Sequence, residues 1–99
     1  MKLAFPLNQF LKRAADDHRL FTTHMSLFMA IFYYSSPLSP FEEFRICRRQ
    51  LMRFSRIKSK ATYHKCLSEL VLFGYIKYQP SYDPFKASTI SIIQNGDAA

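Results

Sequence analysis

Glycine and cysteine are both scarce in this chain, two of each in 99 residues, and each scarcity removes a class of function. Two glycines cannot build a glycine-rich phosphate loop. No G-x-S-x-G nucleophile turn and no paired acidic motif is present either, so the chain is expected not to be an enzyme. Cys47 and Cys66 stand far apart in the sequence, without the close pairing of a zinc knuckle or a redox motif. Both are expected to be reduced and buried. The histidines, His18, His24 and His64, match no compact ligand spacing, so neither a metal nor a cofactor is expected. The longest apolar run, Met25 to Tyr34, is about half of the ~20 residues that a membrane-spanning helix takes, which argues against a membrane partner. Pro6 and Asn8 interrupt the apolar start and no small-residue cleavage site follows, so no secretory leader is read and a cytoplasmic location is expected. Nothing in the chain points to a small-molecule ligand.

What is present is a globular composition with a strong charge bias. A hydrophobic content of 48% with 21% charged residues lies well away from the disordered range and leaves room for one domain, read as residues 1–93 with a flexible tail at 94–99. The net charge of +7 and a pI near 9.7 favour a polyanion, either nucleic acid or an anionic membrane.

Hydrophobic spacing predicts the elements. Leu7, Phe10, Leu11, Ala14 and Ala15 recur at helical intervals, with Lys12, Arg13, Asp16 and Asp17 on the other face. Thr22 or Thr23 can cap a second helix, apolar nearly all round and therefore central, which the prolines of Ser35–Pro40 end. Phe44 to Cys47 alternates like a short strand, and Gln50 to Phe54 supplies a short helix. After a turn, Ser59 caps a longer helix through Phe73, with Tyr63, Cys66, Leu67, Leu70 and Val71 on one stripe and Gly74 closing it. Ile76–Gln79 and Thr89–Ile93 read as a hairpin around a polar loop, Pro80 to Ser88.

The window Arg45–Lys65 holds Arg45, Arg48, Arg49, Arg53, Arg56, Lys58, Lys60 and Lys65 and no acidic residue. Two helices joined by a short turn would gather these charges on one face suited to a groove flanked by phosphates. The bland alternative is a solvated basic surface, though ordinary surfaces mix both signs. On the Ser59 helix, Ala61, Thr62, Lys65 and Ser68 are expected outward. They are small or hydrogen-bonding, so the helix can enter a major groove about 12 Å wide, with Thr62 and Lys65 at base edges. Ser59 and Lys60 would sit near a phosphate at the helix start.

The segment SKATYHKCLSELVLFGYI, Ser59–Ile76, resembles the recognition helix and first wing strand of bacterial winged-helix regulators. Together with TTHMSLFMAIFYY and GYIKYQPSYDPFKAS it is similar to small winged-helix proteins of conjugative and integrative elements from Bacteroides-type bacteria, over most of residues 22–93. Cys47 departs from the pattern, standing where such proteins often carry a serine cap. The resemblance implies a mostly α winged helix-turn-helix fold, with a three-helix core, an N-terminal helix and a C-terminal β-hairpin wing. It implies wing contacts to DNA from Tyr82, Phe85, Lys86 and Ser88, with Lys86 foremost; the alternative for Tyr82 and Phe85 is that they fold back onto the core. The function expected is sequence-specific binding of double-stranded DNA, as a transcriptional regulator of a mobile element, through Arg48, Arg49, Arg53, Arg56, Lys58, Ser59, Lys60, Thr62, Lys65 and Lys86. Two other readings stay open. One is a replication or mobilisation accessory that binds origin or transfer DNA and a protein partner. The other is a pure protein-interaction module. The helix within residues 1–20 is the spare element through which a homodimer can form.

Overall fold

The computed structural model describes residues 5–35, 41–83 and 86–93. They form four helices, α1 (Phe5–Ala15), α2 (Thr22–Tyr34), α3 (Arg48–Ser55) and α4 (Lys60–Leu72), and three strands, β1 (Phe44–Arg45), β2 (Ile76–Gln79) and β3 (Thr89–Ile92). The element order is the one that hydrophobic spacing predicts. The 94–99 tail, residues 36–40 of the proline loop and Phe85 lie outside the described residues.

A helical layer carries most of the core. α4 buries Tyr63, Cys66, Leu67 and Leu70, and α2 buries Leu27, Phe28, Ala30 and Ile31 into the same cluster. α1 closes one side by burying Leu7 and Phe10. The Phe10 ring stacks on Phe28 with centroids 3.8 Å apart, and meets Tyr75 edge-on at 5.3 Å. Burying one such ring is worth about 2 kcal/mol. Val71, expected on the buried stripe, is instead 39% exposed. It lies about 100° round the helix from Leu70, beyond the reach of α2.

The strands make one antiparallel sheet in the order β1-β3-β2. Phe44 and Tyr78 flank Ile90 from either side, and Ile76 lies opposite Ile92. One face therefore turns Ile76, Ile90 and Ile92 to the helices, while Lys77 and Gln79 remain exposed, the period-two alternation of a half-covered sheet. β1 is two residues long, shorter than the predicted strand, although the Ile46 N–H still donates to the Ser88 carbonyl at 2.9 Å.

Helix ends fix the connections, and two differ from expectation. α2 has no threonine cap. Its N-cap is Phe21, whose N–H donates to His24 Nδ1 at 2.9 Å, so the imidazole does what an N3 glutamate does in a capping box. With Nδ1 accepting, the ring proton is on Nε2, which donates to Glu69 Oε1 of α4 at 2.9 Å. α3 begins at Arg48, two residues before the predicted start, with Cys47 as an N-cap that makes no side-chain hydrogen bond. Cys66 is buried as expected, but Cys47 is exposed. It occupies the corner between β1 and α3, where the chain turns away from the core.

α3 and α4 end alike. Gly74 takes φ +84°, with the Tyr75 N–H donating to the Leu70 carbonyl at 3.0 Å. Arg56 takes φ +66°, with the Ile57 N–H donating to the Met52 carbonyl at 3.2 Å. Both are left-handed terminations that turn the next apolar residue, Tyr75 or Ile57, into the core. Among the described residues no helix is long and apolar enough to cross a membrane.

Candidate nucleic-acid interface

Apart from Arg45 on β1, the basic window lies on α3, the turn after it, and the first half of α4. With Leu51 and Ser55 buried, an advance of about 100° per residue puts Arg49, Gln50 and Arg53 on the opposite, exposed side of α3. Arg48 faces a different way: its charge acts on the Tyr63 hydroxyl of α4. The turn brings together Arg56, Lys58, Ser59 and Thr62, which line one open groove of about 390 Å³ with Thr23, Ser55 and Ile57. Lys60 and Lys65 are exposed on α4. Lys86 is exposed on the β2–β3 connection, a separate element.

Ser59 fulfils its predicted role, its Oγ accepting from the Thr62 N–H at 3.3 Å. The face of α4 differs in one position. Opposite the buried stripe stand Ala61, Lys65, Ser68 and Leu72, all exposed, but Thr62 is half-buried on the flank that faces the turn. The helical phase explains this, because Thr62 lies about 100° behind Lys60's neighbour Ala61, toward Cys66 rather than toward solvent. His64, overlooked as a contact residue because the histidines were weighed only as metal ligands, is exposed on the other flank, with its ring edge-on to Tyr63 at 5.2 Å.

Electrostatics separate this surface from the rest of the molecule. Among the described residues, none of the eight basic side chains from Arg45 to Lys65 makes an ion pair or a hydrogen bond through its charged group. Arg13 and Arg19, by contrast, are committed to structure. Arg13 donates to the Gly74 and Phe73 carbonyls and lies 4.1 Å from the Tyr75 ring centroid. Arg19 pairs with Asp17 at 2.8 Å and covers Phe73 at 4.2 Å. The Arg19 hydrogen bonds, with a further one from the Tyr75 hydroxyl at 2.7 Å, hold the Asp17 carboxyl well below the usual carboxylate range. Burial, reinforced by that acceptor, pushes the Tyr75 phenol up to about 12. Burial likewise pushes Tyr63 up to about 12. Glu43 is bonded by Thr89 and Glu69 by His24.

Both helices of the basic window start against their own dipoles. Neither has an acidic residue in its first turn; α3 opens on Arg48 and Arg49 and α4 on Lys60. Cations at a helix N-terminus cost about 0.3–1 kcal/mol each, a cost that an anion placed there removes.

The hairpin loop is built around Ser88. Its Oγ accepts from the Ser81 N–H at 3.1 Å and from the Tyr78 hydroxyl at 3.3 Å, so this side chain closes the loop rather than pointing at a ligand. Tyr82 does not fold back, being 93% exposed. Among the described residues, no three His, Cys, Asp or Glu side chains are grouped to hold a metal ion. Comparisons of the chain with protein-family models, with curated proteins and with solved structures returned no match.

Proposed function

We propose that this protein is a winged helix-turn-helix that binds double-stranded DNA and reads its sequence with α4. The observation that carries the proposal is the clustering of free charge: Arg49, Arg53, Arg56, Lys58, Lys60 and Lys65 face solvent together on α3, the turn and α4 without a partner among the described residues, whereas Arg13 and Arg19 are used to hold the fold and the exposed Lys12, Lys77 and Lys86 stand singly on α1, β2 and the β2–β3 connection. Supporting it, the sheet order β1-β3-β2 following α2 and enclosing α3 and α4 is the arrangement in which a hairpin flanks a helix-turn-helix.

In this reading α4 lies in the major groove, which is about as wide as a helix with its side chains. Ala61, Lys65 and Ser68 form the leading face, with His64 beside them. Arg48, Arg49, Arg53, Arg56, Lys58, Ser59, Lys60 and Thr62 hold phosphates, and Lys86 adds a flanking contact from the wing beside Tyr82. Phosphate contacts position the protein, and base contacts specify the site. Regulation of transcription is the function such a reader serves most directly. A replication or mobilisation accessory is the second reading, favoured by Leu72, which is 78% exposed on the leading face and offers a protein partner an apolar contact. Pairing of two copies through α1 would have to use its outer side, because Leu7 and Phe10 are turned onto the chain's own core.

The decisive experiment is fluorescence anisotropy on random and selected duplexes over a range of salt. If each subunit neutralises about five phosphates, log affinity falls against log salt with a slope of about −4.5. A salt-insensitive complex, or no complex, overturns the proposal. Lys65→Ala is expected to weaken a selected site by about tenfold more than random DNA, the loss of a single base contact. Thr62→Ala is expected to weaken both equally.

A further inference from the structure

A second surface lies between the C-terminal end of α2 and α3, where the sequence shows only an apolar helix end and a phenylalanine. Tyr33, Tyr34 and Phe54 are 65%, 36% and 40% exposed, large rings that a monomer ordinarily covers. The Tyr33 and Phe54 rings stack at 4.8 Å, and Tyr34 stands edge-on to Tyr33 at 5.0 Å. Tyr34 and Phe54 join Gln50, Arg53 and Arg56 in lining an open groove of about 510 Å³. No acidic side chain lines it, and neither arginine has an ion-pair partner among the described residues.

We infer that this groove docks an acidic amphipathic helix of a partner protein, with apolar anchors on the aromatic cluster and carboxylates on Arg53 and Arg56. The charge of the rim selects the acidic partner, since carboxylates pair with arginine in a fixed bidentate geometry. The exposed rings select a partner that brings apolar side chains along with its carboxylates, because Tyr33 and Phe54 offer apolar area that the phosphate backbone of a duplex does not bury. Among the described residues, a second copy of this chain has no free stretch that joins aromatic rings to carboxylates. Its acidic and aromatic stretch, Phe41–Phe44, is committed to the fold: Phe44 pairs with Ile90, Phe41 packs on the core and Glu43 is bonded by Thr89. The inference does not require duplex binding, although Arg53 and Arg56 both line this groove and are both placed on phosphates in the proposed duplex complex, so partner and DNA would compete for them.

The test is a nuclear magnetic resonance titration of the full chain with a synthetic peptide carrying Leu and Phe four residues apart among glutamates. Saturable shifts confined to Tyr33, Tyr34, Gln50, Arg53, Phe54 and Arg56 are expected. Tyr33→Ser, at an exposed position, is expected to weaken the peptide by about tenfold, as loss of an aromatic anchor does, and to leave duplex affinity unchanged. Peptides with glutamate replaced by glutamine, or with Leu and Phe replaced by alanine, should not bind. Equal affinity for the alanine peptide overturns the inference, as do shifts centred on Ala61, Lys65 and Ser68. So do concentration-dependent shifts of the same groove without peptide, which would make a second copy the occupant, or saturation of the groove by a single-stranded oligonucleotide. Failure of the duplex titration alone would overturn the proposed function and leave this groove standing.

Discussion

Arg56 shows how a single residue can be suboptimal for folding and useful on the surface. A left-handed conformation costs a side chain about 1–2 kcal/mol, and glycine takes that place at the end of α4 but not of α3. Arg56→Gly is therefore expected to stabilise the fold by about 1 kcal/mol, read as a higher urea midpoint at unchanged slope, while lowering duplex affinity and flattening its salt dependence. Neither sign of this exchange was legible in the sequence, where SRIKS contains no residue that marks a left-handed turn. The same holds for Thr62, expected on the outward face with Lys65 but half-buried on the flank beside the turn, and for Cys47, read as buried on the general habit of cysteine. The tyrosines give a second prediction. Tyr63 and Tyr75 have phenols raised to about 12 against an unfolded value of about 10. A raised phenol contributes stability that is complete below the unfolded value and is lost as pH rises through the folded one. Unfolding followed by circular dichroism is thus expected to become easier between about pH 10 and 12, together with the tyrosinate absorbance. Asp17 works in the opposite sense, its lowered carboxyl adding stability that disappears as pH falls below the usual carboxylate range.

At the scale of the element, the helices and strands were legible because their signals are local. The end of α2 before the proline loop, the Ser59 cap, Gly74 and the alternation of Ile76–Gln79 each follow from signals that act within a few residues, and each stands where expected. The start of α2 was not legible, since its cap depends on Glu69, far along the chain, which holds the His24 ring in place. His24 joins the first turn of α2 to the last turns of α4, so removing it should affect two helices. His24→Ala is expected to cost about 2–3 kcal/mol, from the stranded Phe21 amide, the lost bond to Glu69 and the space left in the core. Ser59→Ala removes only a local cap and is expected to cost about 1 kcal/mol. Thermal melts of the two variants compare the values directly. If His24→Ala cost no more than Ser59→Ala, the bridge between α2 and α4 would contribute nothing beyond an ordinary cap.

For the whole molecule, the absence of intramolecular partners for the cations of the basic window implies that the proposed duplex binding and stability can be altered independently. Arg49→Gln combined with Arg53→Gln touches exposed positions without partners. It is expected to leave stability within about 0.5 kcal/mol, yet to reduce the salt slope of duplex binding by about 1.8, two phosphates' worth. A large loss of stability would show that these arginines serve the fold. The basic window itself was visible in the sequence as a run without acids, but its division between an α3 face, a turn and an α4 face arises only from the helical phases. The commitment of Arg13 was invisible there because Phe73, Gly74 and Tyr75 lie some sixty residues away, and that of Arg19 because its nearby partner Asp17 is itself fixed by the distant Tyr75 hydroxyl and its guanidinium lies over Phe73. The anchoring of α4 carries one more consequence. Tyr63, Cys66, Leu67 and Leu70 fasten it to the core, with Ser59 at one end and Gly74 at the other, so Ala61, Lys65, Ser68 and Leu72 bear none of its weight. If α4 reads DNA as proposed, those four positions form an interchangeable cassette, in which randomised residues are expected to yield new target sites while the scaffold stays intact.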